Sequence, residues 1–325
     1  MYRRAMRSVQ RGFTLLELLV VVAILAAIAG TATIALQDTD ARAAAAAHVA
    51  MMDELNKGIR TYRVLNGNEL PNDWDSLLFT AVGDGSDAAL LPSADGEVLG
   101  TGDLAPFVLN DDMMAALEAI GMTNLRIVDG SAASLPPDAI AGVEDCQVAN
   151  IQALINSRRN AVVAGNIYLS NAANGCGIDY SIADPNPAAA GDTATVAVWA
   201  GGQERVLGTG AAELTAGADP TLPASWEDGG KVMMAVGAGP SSNLFDASEL
   251  GGLTSVPVYR HVAQDQYNRF IILFHVATAV DSTGAGGAAD TIVSVDQVAL
   301  AGVIDGAGDT KEEELGEWDG TRNTI

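Results

Sequence analysis

Residues 13–36, FTLLELLVVVAILAAIAGTATIAL, form an apolar run of 24 residues holding one charge, Glu17. About 20 apolar residues in a helix suffice to cross a hydrocarbon core of roughly 30 Å, so the run predicts a single transmembrane helix. The eleven residues ahead of Gly12 carry Arg3, Arg4, Arg7 and Arg11 and no acid. Positive flanks stay in the cytoplasm, which puts the N-terminus inside and the bulk of the chain outside. A secretory signal is cut after its apolar region. Here the candidate cut, between Gly12 and Phe13, precedes it, and cutting there leaves the apolar helix on the mature protein. An acid at mid-bilayer costs about 2.5–3.5 kcal/mol. Glu17 lies nearer the cytoplasmic interface, where the cost is smaller, yet it needs a partner once neighbours pack around it. After the cut the nearest new cation is the Phe13 amine, and the first and fifth residues of a helix share a face. In an assembly, Glu17 of one subunit can pair with the Phe13 amine of another and set their axial offset.

The order Gly12-Phe13-Thr14-Leu15-Leu16-Glu17, behind a basic leader and ahead of an apolar run, resembles the class III signal peptide of type IV prepilins and type II secretion system pseudopilins. The resemblance implies cleavage between Gly12 and Phe13 by a prepilin peptidase, N-methylation of Phe13, and Glu17 as the assembly carboxylate. It implies a single-pass protein of the bacterial inner membrane, N-terminus cytoplasmic and C-terminal domain periplasmic or extracellular, that passes into a filament. Its partners would be other copies and related pilin-like subunits, the peptidase and methyltransferase, and an inner-membrane assembly platform driven by a separate ATPase. One departure is Ile34, where many members carry a proline; either Gly30 supplies the flexibility or the helix is continuous.

The formal charge is −24, and loss of residues 1–12, with their four arginines, takes it to −28. The only lysines are Lys57, Lys231 and Lys311. Such a surface repels nucleic acid and anionic lipid, so no nucleic-acid partner is expected. It suits a salty exterior or divalent cations. Cys146 and Cys176 are the two cysteines. In an exported domain an even count favours a disulfide, worth about 3–4 kcal/mol for a loop of this length; two buried thiols are the alternative.

The apolar helix is expected to continue. Residues 41–47 are Ala-rich, which favours helix. Val49, Met52, Leu55, Ile59 and Tyr62 then form an amphipathic stripe, ended by Asn66-Gly67-Asn68 and Pro71. Residues 66–78 resemble the segment after the long helix of major pseudopilins, which implies a small helix there. Residues 80–105, 184–192 and 208–230 read as loops. Helices are expected at 111–120, capped by Asn110 or Asp111, and at about 145–163. Strands are expected at 195–199, 232–236, 256–262, 269–280 and 291–304, the last two joined as a hairpin by loop 281–290. The organisation is therefore leader 1–12, filament-core helix 13–36, its amphipathic continuation 37–65, an extracytoplasmic domain 66–304 and an acidic, mobile tail 305–325. The fold class is α+β: a long N-terminal helix packed on a C-terminal antiparallel β-sheet with inserted helices and loops.

No phosphate-binding, metalloprotease or serine-hydrolase motif occurs. His48, on the exposed part of the long helix, and His261 and His275, on strands, read as surface or packed residues. The run 236–242 reads as a turn. Loops 281–290 and 305–309 offer Asp oxygens on Gly-rich backbone, as calcium requires, and major pseudopilins, which the chain resembles, bind calcium in a loop of their C-terminal sheet. Neither loop has a fixed calcium spacing, and Asp and Gly also mark turns, so no metal ligand is assigned. The chain reads as a non-catalytic structural subunit of a type II secretion pseudopilus or related type IV pilus-like filament. The large domain beyond the helix favours a minor subunit, a tip subunit or a lineage with an expanded domain. The alternative is a minor or tip type IV pilin acting as a surface adhesin or ligand-binding subunit.

Overall fold

The computed structural model describes residues 15–80, 89–90, 103–129, 178–182, 194–215, 219–246, 253–259 and 269–319. Helix α1 (Leu15–Leu65) is continuous through Gly30 and Ile34, and its 51 residues make a rod of about 76 Å at 1.5 Å per residue. Two environments divide it. Every described side chain from Leu15 to Thr31 is exposed. From Ala45 onward, Ala45, His48, Met52, Leu55, Ile59 and Tyr62 are buried, a spacing of three and four that lays one face against the sheet. The stripe read from the sequence is this face. It begins a turn earlier than expected, so His48 is 4% exposed rather than solvated.

The other elements are β1 (Trp74–Thr80), β2 (Ala89–Leu90), β3 (Leu104–Val108), α2 (Asp111–Glu118), β4 (Asn124–Asp129), β5 (Ile178–Ser181), β6 (Thr195–Trp199), α3 (Gln203–Leu207), β7 (Lys231–Gly237), β8 (Ile271–Val280), β9 (Thr291–Ile304) and α4 (Lys311–Asp319). All nine strands of the described residues join one sheet. β9, β8 and β7 pair antiparallel. The other edge of β7 is shared by β6, which leads to β3, and by β1, which leads to β4 and β5. The class is α+β, as read from the sequence, but the sheet is mixed: β1 and β4 run parallel. Their ladder shifts register between Asp75 and Phe79, where Leu77 adopts φ 59°. A non-Gly residue in that region bears strain, and the bulge redirects the strand.

The core lies between α1 and the sheet. Trp74, Trp199 and Trp226 are buried in it, and each sends its indole N–H to a nearby loop carbonyl: Trp74 to Pro71, Trp199 to Gly202 and Trp226 to Pro220. The rings thus bury their apolar area and fasten the turns beside them. After α1, residues 66–73 form no helix. Asn72 holds them instead, its side-chain oxygen accepting from the Thr123 and Asn124 amides. Residues 256–259 form no strand; Pro257 has no N–H to give a ladder. The tail read as mobile contains α4, packed on α1, with Glu314 2% exposed. The expected helix at 145–163, Cys146, Cys176 and His261 lie outside the described residues.

Candidate functional site: an exposed apolar arm and a charged clamp

Gly12 and Phe13 also lie outside the described residues. Glu17 stands in the first turn of α1, among the exposed Leu15, Leu16, Leu18, Leu19 and Val20. Thr31 folds its hydroxyl back onto the carbonyls of Ala27 and Ile28, which leaves less polarity to desolvate if the arm enters an apolar setting. Among the described residues nothing of the domain covers these apolar side chains, and such a surface suits lipid or other helices. Among the described residues no helix is long and apolar enough to cross a membrane.

Where α4 begins, a charged clamp closes the chain. Arg205 of α3 stands over the Trp199 ring at 5.2 Å. Its Nε and Nη2 donate to the two carboxylate oxygens of Glu313, at 2.7 and 3.0 Å. Nη1 donates to Asp103 and to the Gly201 carbonyl, and Nη2 to the Gly308 carbonyl at 2.9 Å. Asp309 stands 3.9 Å away. Gly201 must lack a side chain, because a Cβ there would strike Asp103 and Trp199. One guanidinium therefore collects three carboxylates and two carbonyls from three parts of the chain. Burial pushes Glu313 up, but the hydrogen bonds from Arg205 and Thr310 pull its carboxyl below the usual range. For Asp103 burial prevails, and its carboxyl is raised despite Arg205 beside it.

Beside the clamp lies a second, deeper cluster. His48 Nδ1 meets Glu314 Oε1 at 3.0 Å, both side chains almost fully buried. Asp305, at the end of β9, is fully buried. Its Oδ1 accepts from the Ala307 and Asp309 amides, each at 2.8 Å, which folds the turn into α4. Burial and the neighbouring Glu314 carboxyl push Asp305 well above the ordinary carboxylate range. Tyr259 packs its ring on His48 at 4.6 Å, and burial followed by the charges of Asp305, Glu314 and Asp309 pushes its hydroxyl up, so it stays neutral. His48 carries no motif at the sequence level. Its place on the α1 stripe, four residues before Met52, was the signal that it would be buried.

Loop 281–290 turns its acids inward. Asp281 accepts from the Thr283 amide and hydroxyl and from the Gly286 amide, and Asp290 accepts from the Ser282 amide and hydroxyl. These bonds hold Asp281 at about 2, the Thr283 hydroxyl contributing most. Because the folded value lies below the unfolded one, Asp281 adds stability above the usual range near 3.9 and loses it as pH falls toward 2. A carboxyl-carbon NMR titration should find its midpoint near 2 in the folded chain; a midpoint near 3.9 would mean the loop is open in solution. His275 is half-buried against Thr278 at 3.0 Å, and burial, then Lys231, lowers its pKa.

Residues 7–33 match the family model of the prokaryotic N-terminal methylation motif, the class III signal peptide of type IV pilins and pseudopilins. The chain carries that motif, which supports a type IV pilin-like precursor processed by prepilin peptidase and assembled into a pilin-like filament. No curated protein and no solved structure matches the chain.

Proposed function

We propose that the chain is a non-catalytic subunit of a type II secretion pseudopilus or a related type IV pilus-like filament, anchored by residues 13–36 in the inner membrane before assembly. The observation that carries this reading is the join between the methylation motif and the rod it opens. That rod is apolar and exposed from Leu15 onward and becomes the buried spine of an exterior domain after Ala45. Such a rod can pass from bilayer to filament core without refolding the domain. Intact-mass and N-terminal analysis of protein from the native membrane should find a chain that begins at N-methylated Phe13. A chain that still begins at Met1 would overturn the proposal.

The cleft between Met51, Glu54, Leu55 and residues 253–258 encloses about 210 Å³, and a more open depression of about 480 Å³ lies at Arg60, Arg63, Val64, Gly67 and Asn68. Calcium is not required by this reading. In loop 281–290 the two Asp side chains are engaged by local donors, and at 305–313 a guanidinium stands among the oxygens.

A further inference from the structure

His48 from α1, Asp305 from the end of β9 and Glu314 from α4 converge, with one ligand-type atom of each within 4.8 Å of the others. All three are buried, Asp305 completely. Asp305 spends Oδ1 on two backbone amides, while its Oδ2 and Glu314 Oε2 are both buried with no donor other than a proton held between the two carboxyls. A buried carboxyl oxygen with neither a donor nor a cation is costly. Among the described residues, Arg205 is engaged with Glu313 and Asp103, and Lys311 with Asp53 at 2.6 Å. Two carboxyls and one imidazole therefore meet in a buried site that either a proton held between the carboxyls, which raises Asp305, or a bound cation brings into charge balance.

We infer that His48, Asp305 and Glu314 form a binding site for one divalent transition ion of the zinc class. A neutral imidazole and two carboxylates balance a double positive charge. One nitrogen with two oxygens suits zinc or manganese, whereas calcium prefers six to eight oxygens. Zinc–ligand bonds of about 2.0–2.2 Å place neighbouring ligand atoms near the separation already found between His48 Nδ1 and Glu314 Oε1. The Tyr259 and Phe270 rings, 4.6 and 6.1 Å from the imidazole, shield the site, which fits a structural ion better than a catalytic one. The ion would join the long helix to the last turn and helix of the domain.

The test uses the full chain in detergent, refolded with zinc, manganese or calcium alone and then passed into metal-free buffer. Elemental analysis should find about one zinc or manganese per chain and no retained calcium. A cobalt-refolded chain should show visible absorption bands that change on His48→Gln. His48→Gln and Asp305→Asn should each weaken retention by more than the 10–100-fold that follows loss of a ligand's supporting partner. Asp281→Asn should retain the ion like the parent. No zinc, manganese or cobalt on a parent chain that circular dichroism shows to be folded would overturn the inference and leave a carboxyl pair sharing a proton. Undiminished retention in both variants would overturn it as well.

Discussion

Glu17→Ala should insert into the membrane normally and fall out of filaments, its share of the sheared filament fraction dropping at least tenfold. Glu17 is exposed in the first turn of α1, among leucines and valines that have no cover in their own subunit. Once neighbouring helices supply that cover, the carboxylate sits in a low-dielectric bundle and must meet a cation. The Phe13 amine of an adjacent subunit is the group the motif offers. Removing one member of a buried ion pair costs about 3–5 kcal/mol, roughly two to three and a half powers of ten in an assembly constant. Insertion alone gains from the change, because alanine is cheaper than glutamate in lipid. Glu17→Asp, with the charge set back by a methylene, should recover part of the incorporation, and Glu17→Gln little. Parental levels of Glu17→Ala in filaments would refute the pairing.

Arg205→Ala should destabilise the exterior domain by about 2–3 kcal/mol, lowering its thermal midpoint by about 5–10 °C. The substitution leaves Asp103, Asp309 and Glu313 facing each other without a cation, and two carbonyls without their donor. A fully buried triad would cost more, but the Arg205 side chain is 24% exposed and solvent screens part of the loss. Arg205→Lys should recover less than half, since an ammonium cannot make the paired contact with Glu313. Calcium should raise the midpoint of Arg205→Ala more than that of the parent, because the variant gathers hard oxygens around an unfilled charge. A midpoint within 1 °C of the parent would show that the clamp is ornamental.

Patterned segments were legible in the sequence, and segments ordered by distant partners were not. The end of α1 at Leu65 was signalled by Asn66-Gly67-Asn68, and the Asn110 cap of α2 accepts from Met113 as its residue type implies. β6 and β8 are runs rich in valine, isoleucine and aromatics that the sheet core buries, and β9 carries the recurring valine and isoleucine of a half-covered strand. β1 was missed because WDSLLFT lacks alternation, and its bulge at Leu77 breaks the period on which strand reading rests. The acidic stretch after β9 looked solvated because its cations, Arg205 and Lys311, and its imidazole, His48, cannot be matched to it without the fold. The candidate site was legible to the same degree. Gly12, Phe13 and Glu17 form a local motif, whereas His48, Asp305 and Glu314 are brought together only by the packing of α4 on α1.

That packing has a consequence for how the protein is made. Lys311 meets Asp53 across 258 positions, and Glu314 meets His48 across 266. Contacts so distant in sequence close late, after a large loss of chain entropy. The long helix is synthesised first and takes up its place early, but the face around His48 stays open until residues 305–319 arrive. A chain interrupted before that point lacks the groups that shut its domain, and its exposed core face is a target for proteolysis and aggregation. The domain is therefore closed only in chains made through Glu314.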